Sequence, residues 1–476
     1  MVERFTAREE LCRRSGAVTS VVECAFNLEE YYMLHAKMIG LLSAAAMLTA
    51  SAAAAEDIDW KGQLGDHSGK TLRVMTITDP FIDSMKAVKD GFTTATGAKV
   101  EIDGYGYDAL HEKELLACSQ NDGSYDVMLI DGVWIGEFAE AGCLDPVEAK
   151  IAENPDVFAW DDFTRAGAGQ ASWEGERVCL PVGTYYELMY YRSDLFEKAG
   201  IKVPETFEEL KKAAATFSNN KDFPGVYGYA MNNKRGAAAG QQWFEWIYSA
   251  GGKPWASNDI GSAEPYKDQT PLLNSQESVD LVQFFRDMVA YGPPGVESFA
   301  WDERANAFAA GKLAMINDWS VRAQIANDPK QSQIAGKFKA ALMPHKEGGK
   351  TITPVGGWIA CVNTHGAQKD IAWDYLKWFA SKPVHRDFVL AGGPPSRLSA
   401  MEDKEIQAKF PWTSVLLEGQ KDSWAEVRPR NSVAFQLIDT VGAQVNKAII
   451  GEKSPKDAMD GANEDVTKLL KQNGQL

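Results

Sequence analysis

The chain has 476 residues, 45% of them apolar and 24% charged, with a formal net charge of −17. That length exceeds one compact core, so two domains are expected. The acidity excludes a nucleic-acid binder, which needs a basic stripe to displace counterions, and favours a small molecule or another protein as partner.

Taken from the N-terminus, Lys37 precedes an apolar, Ala-rich stretch, MIGLLSAAAMLTASAAAA, over residues 38–55. A positive flank, a short apolar run and small residues before Glu56 read as a secretory signal peptide; the run is too short for a membrane anchor. The same stretch could instead be a buried Ala-rich helix, but the flanks favour export. Residues 1–32 carry Glu and Arg that do not suit such a peptide. The translation start is therefore expected at Met33 or Met38, with 1–32 a mis-assigned extension and 33–55 the signal. No cysteine follows the cleavage point, which argues against a lipid anchor. Four cysteines remain beyond it, Cys118, Cys143, Cys179 and Cys361. An oxidising compartment allows one or two disulfides. Cys361 lies in an apolar strand and reads as a free buried thiol; the sequence does not pair the others.

The segment TLRVMTI at 71–77 is β-branched and apolar and stops at Asp79-Pro80, the pattern of a buried strand and its turn. Phe81, Met85, Val88 and Phe92 then recur at helical spacing, with Gly97 closing one helix. AKVEIDGYG alternates as a strand, YDALHEKELLACSQ is helical, and YDVMLID at 125–131 is a buried strand. This β-α-β-α-β opening implies a parallel sheet with helices on both faces. Ligands in such sheets sit beyond the carboxyl ends of the strands, which places Asp79, Tyr105, Tyr107, Asp131 and Trp134 at the mouth. A long aromatic strand, YYELMYY, follows. Thr206 and Glu209 form a capping signal for the next helix, and a second α/β lobe starts here. GQQWFEW at 240–246 is helical, with Gln241 able to reach a ligand and Trp243 and Trp246 as core. Asn232 to Arg235 read as a polar loop beside the cleft. GKLAMINDWS and GGWIACVN are further strands. AQKDIAWDYLKWFAS is an amphipathic helix with Ile371, Tyr375, Trp378 and Phe379 near one face. The tail, SPKDAMDGANEDVTKLL, is a last helix.

The succession YDVMLIDGVWIGEFAEAGCLDPV, LPVGTYYELMYYRSDLFEKAGIKVPETFEEL, AFAAGKLAMINDWS, GGWIACVN, GGPPSR and GEKSPKDAMDGANEDV resembles the extracellular solute-binding proteins of family 1. These are the carbohydrate-binding subunits of bacterial ABC importers, related to maltose-binding protein. The resemblance runs over nearly all of the chain beyond residue 55, in one order. It implies a periplasmic binding protein-like α/β fold: two lobes with hinge crossings and a ligand cleft between them. The lobes would be 56–183 with 358–404, and 184–357 with 405–476. The crossings would fall near Gly183 to Glu187 and near Pro354 to Trp358. It further implies a monomer in the periplasm, a permease partner in the inner membrane, and no cofactor.

A sugar or polyol needs aromatic plates for its C–H faces and Asp, Asn, Gln, Arg or backbone groups for its hydroxyls. Trp358, Trp319, Trp134 and Tyr185 are the candidate plates, and Tyr185 rather than Tyr186 faces the cleft by strand alternation. Asp318, Asp131, Asp79 and Arg397 are the candidate rim groups, joined by Tyr107 and Gln241. Gly356 and Gly357, directly before Trp358, would let the backbone approach a ligand closely. On this reading, Gly357→Val weakens binding and spares the fold, and Trp358→Ala costs binding far more than stability. Each residue also has a plain structural use: a core tryptophan, a helix-capping Asp318, turn chemistry at Asp79, or a surface salt bridge for Arg397.

The main rival is a secreted glycoside hydrolase, since carboxylates with aromatics also describe that chemistry; no motif assigns its acid and nucleophile. A binder of a polyamine, opine or ferric ion is a third reading. The chain lacks H-E-x-x-H, G-x-S-x-G, P-loop and G-x-G-x-x-G patterns. HEKEL at His111 starts like a zinc helix but has no second histidine.

Overall fold

A computed structural model describes residues 58–60, 62–257 and 267–476; the expected extension and signal peptide lie outside the described residues. Residues from Asp59 to Leu476 form one compact unit. Its strands are β1 Thr71–Ile77, β2 Lys99–Tyr105, β3 Val127–Asp131, β4 Leu144–Asp145, β5 Ser172–Trp173, β6 Glu176–Arg177, β7 Leu180–Arg192, β8 Tyr227–Ala230, β9 Leu313–Trp319, β10 Phe338–Ala341 and β11 Val355–Asn363. All but the β5–β6 hairpin join one path, β2-β1-β3-β11-β7-β9-β8, with β4 on β11 and β10 on β7.

The opening strands are parallel, β1 lying between β2 and β3, as the β-α-β-α-β reading requires. β11 then enters antiparallel between β3 and β7, so the sheet is mixed. The helix expected over residues 81–97 is two helices, Pro80–Val88 and Asp90–Thr96, meeting at Lys89. Phe81, Met85 and Phe92 are nonetheless buried together, and Gly97 closes the second helix at φ 75°, a conformation glycine adopts without steric cost.

β7 is the spine of the molecule. Its first part, through Tyr186, pairs with β11. From Glu187 onward it pairs with β9 on one side, and from Met189 with β10 on the other. Both faces are covered, so LPVGTYYELMY reads as an unbroken buried run without polar alternation.

Thr206 and Glu209 form the expected capping box for the helix Phe207–Phe217. Ile371, Tyr375, Trp378 and Phe379 are buried on the helix Lys369–Ala380. Cys361 is not a free thiol: it bonds to Cys179, and Cys118 bonds to Cys143. Leu180 pairs with Ala360 in the β7–β11 ladder, which brings Cys179 and Cys361 to a Cα separation of 4.6 Å. The two cysteines are 182 residues apart in sequence, so only the strand pairing makes them neighbours. No helix among the described residues is long and apolar enough to cross a membrane.

Candidate functional site

A cavity of about 580 Å³ opens at the carboxyl ends of β1, β2 and β3 and against the middle of β7, the last residue of β9 and the start of β11. Strand ends present side chains and free backbone groups to one place, which is why open α/β sheets bind ligands there. Of the twelve residues singled out from sequence, nine line it: Asp79, Tyr107, Asp131, Tyr185, Gln241, Trp319, Gly356, Gly357 and Trp358.

The centre is a polar chain. Asp131, the last residue of β3, is clamped by Arg428 through Nη2–Oδ1 at 2.8 Å and Nη1–Oδ2 at 3.1 Å. Both side chains are all but buried, and a paired fork of this kind is how a buried carboxylate keeps its charge. Tyr107 donates its hydroxyl to Asp131 Oδ2 at 2.9 Å, and Gln241 Nε2 donates to that hydroxyl at 2.8 Å. Gln241 sits on the helix Ala237–Trp246, whose Trp243 and Trp246 are core.

On one side of this chain, Asp79 caps the helix Pro80–Val88 by accepting from the Phe81 amide at 2.8 Å and accepts from the Tyr185 hydroxyl at 3.1 Å. Burial pushes its carboxyl up to about 6, against the lowering pull of Arg322. Burial, and then the Asp79 charge, pushes the Tyr185 phenol well above its ordinary value, so it is a hydroxyl donor throughout the physiological range. Arg322 pairs with Asp302.

Six aromatic rings line the walls: Tyr107, Tyr185, Trp301, Trp319, Trp358 and Phe435. Tyr107 lies 5.4 Å from Trp301 and 6.3 Å from both Trp358 and Phe435, centroid to centroid. Trp358 is only 4% exposed, so it is at once wall and core.

The two glycines before it serve the protein's own packing. A Cβ on Gly357 would lie 1.9 Å from the Gly183 carbonyl oxygen of β7, and φ is +125°. A Cβ on Gly356 would meet Arg428 Nη2 at 2.9 Å and Trp319 Cη2 at 3.1 Å. The expectation that Gly357→Val spares the fold is therefore wrong. The bare backbone lets β11 lie flat on β7 and leaves room for Arg428 and Trp319.

Three of the twelve do not line the cavity. Trp134 is fully buried behind it, 5.7 Å from Trp358 and 5.0 Å from Tyr107. Asp318 is 2% exposed and accepts from Arg304 at 3.0 Å, with Arg322 Nε at 3.6 Å. It anchors an arginine that reaches the cavity, and it caps no helix side-on: its Oδ1 takes the amide of Trp319. Arg397 is fully buried elsewhere, donating to the carbonyls of Ala380, Phe158 and Ala159 and to Asp162, with Phe163 under its guanidinium at 3.9 Å. It is neither a rim group nor a surface salt bridge. Tyr105 also stays outside, sharing its hydroxyl with Tyr125 at 3.0 Å. Of residues 232–235, Lys234 and Arg235 line the cavity, while Asn232 and Asn233 are buried.

Sequence reasoning missed Trp301, Asp302, Arg322, Arg428 and Phe435. The one available signal was chemical: a buried Asp131 requires a counter-charge, though nothing in the sequence says which arginine supplies it. No group of His, Cys, Asp or Glu among the described residues is arranged to hold a metal ion.

The family model for the bacterial extracellular solute-binding protein matches residues 78–385. The chain belongs to that family. It is a solute-binding protein with the periplasmic binding protein fold. A ribitol-bound ABC transporter solute-binding protein from Agrobacterium radiobacter superposes with a TM-score of 0.78 at 28% identity, covering 85% of this chain and 100% of that one. A probable amino-acid ABC transporter periplasmic-binding protein of Sinorhizobium fredii is 27% identical, over 86% of this solute-binding protein and 91% of its own length. The mannitol-binding protein of Pseudomonas aeruginosa is 24% identical, over 74% and 82%.

Proposed function

We propose that this solute-binding protein captures a neutral polyol or sugar in the cavity and hands it to the permease of an ABC importer. The observation that carries the reading is the lining itself: six aromatic rings around a hydrogen-bonded carboxylate chain, Arg428–Asp131–Tyr107–Gln241. Rings suit C–H faces, and charged acceptors and donors suit hydroxyls. Of the three arginines that line the cavity, Arg428 is paired with Asp131 and Arg322 with Asp302, so neither of these two is a dedicated clamp for an anionic solute. The ribitol- and mannitol-binding relatives support the polyol class.

The lobes are 56–183 with 358–404 and 184–357 with 405–476, and β7 and β11 carry the hinge. In support, β7 exchanges β11 for β9 as its partner at Tyr186–Glu187, so the ladder to one half ends where the ladder to the other begins. A ligand touching both halves favours the closed state by its differential contacts. The protein acts as a periplasmic monomer, exported by the stretch at 33–55, and is not an enzyme.

The test is a thermal-shift panel of alditols, sugars, amino acids and polyamines with the purified protein. A ligand that binds only the folded state raises the melting temperature by mass action. A rise with an alditol or sugar that is recovered intact is the expected result. A rise only with amino acids or polyamines overturns the ligand class, and consumption of the sugar overturns the non-enzymatic role.

A further inference from the structure

We propose that Asp79 makes ligand capture proton-linked: ionised, its carboxylate accepts a hydroxyl of the ligand, and protonated it does not, so affinity falls in acid. This rests on the polyol-or-sugar reading of the cavity.

The geometry comes first. Asp79 lies two residues past the end of β1, on the cavity wall, half-buried. Its Oδ1 takes the Phe81 amide and its Oδ2 the Tyr185 hydroxyl. A carboxylate offers about four lone-pair sites, so two remain for a ligand. The charged and titratable groups facing it are Tyr185 from β7, Arg322 from the turn Ser320–Arg322 and Asp302 from the helix Trp301–Ala309. Arg322 is the one cation among them. Its Nη2 is held by Asp302 and its Nε lies 3.6 Å from Asp318. Asp79 itself forms no ion pair among the described residues. Burial disfavours its charged form and outweighs the lowering pull of Arg322, itself engaged by two other acids, and of the two accepted hydrogen bonds, bringing the carboxyl up to about 6.

A ligand hydroxyl donated to the carboxylate stabilises the ionised form and lowers the carboxyl in the complex. By linkage, affinity is full above about pH 6 and declines as pH falls through that value. Between pH 7 and pH 5 the dissociation constant should rise roughly tenfold.

Two measurements test this. The first needs no ligand: a carboxyl-carbon NMR titration of the whole protein, with the Asp79 signal assigned by its loss in Asp79→Asn. A midpoint near 6 is expected; a midpoint below 5 overturns the proposal. The second is calorimetric titration with ribitol across the same pH range. Wild type should weaken about tenfold in acid. Asp79→Asn, which keeps a capping oxygen for the Phe81 amide, should bind more weakly at pH 7 and show no pH dependence. Wild-type affinity that is flat with pH, or a slope that persists in Asp79→Asn, overturns the proton linkage and leaves the cavity reading intact. Absence of binding by every alditol and sugar undoes that reading and the linkage with it.

Discussion

At the scale of single residues, the pair Gly356-Gly357 separates two roles that the sequence presents as one. Gly357→Ala drives a Cβ into the backbone of β7, which cannot yield, so the variant should lose more than about 2 kcal/mol in urea unfolding. Gly356→Ala meets only the tips of Arg428 and Trp319; it should fold and reveal itself in ligand affinity. Trp358→Ala should lower both, because a nearly buried tryptophan costs about 3–5 kcal/mol to truncate. Retention of wild-type stability by that variant would show that the indole does not belong to the core. Asp79 supplies a sign test. Its carboxyl is raised in the folded state, so the proton it holds stabilises the fold below the unfolded value, near pH 4, and that contribution is lost as pH rises through 6. Asp79→Asn should therefore gain melting temperature relative to wild type at pH 7, and the gain should vanish near pH 4. The residue types of the site were legible because strand ends announce themselves: Asp79 and Asp131 both stop apolar runs. Arg397 and Asp318 misled because a sequence shows that a charge is present and not which backbone carbonyls or arginines will enclose it.

At the scale of elements, local chemistry was readable and long-range pairing was not. The capping box at Thr206, the glycine stop at Gly97, and the amphipathic helix around Tyr375 all follow from spacing over a few residues. The split of the first helix at Lys89 escaped, since Phe81, Met85 and Phe92 keep one apolar face across the break. The Cys179–Cys361 disulfide escaped for the opposite reason: it depends on β7 lying beside β11 across 182 residues. Closing so long a loop constrains the unfolded chain. Replacing both cysteines with alanine should cost about 2–5 kcal/mol, seen as a lower urea midpoint. An unchanged midpoint would mean that the ladder alone fixes the two strands.

At the scale of the whole molecule, an order of pieces along the chain was more informative than any motif, because it carried the family and, with it, the fold. Solution scattering gives the motion its own test: saturating ligand should reduce the radius of gyration if β7 and β11 carry a hinge, and an unchanged radius would argue for a cavity that is preformed. The central claim, one solute site for a neutral polyol or sugar, is tested most directly by calorimetric titration of the purified protein with ribitol, D-mannitol and maltose, followed by recovery of the ligand. One of them binding at one site per chain with a dissociation constant of roughly micromolar or below, and recovered unchanged, is the predicted result. No heat with any of them, or a ligand returned hydrolysed, would contradict it.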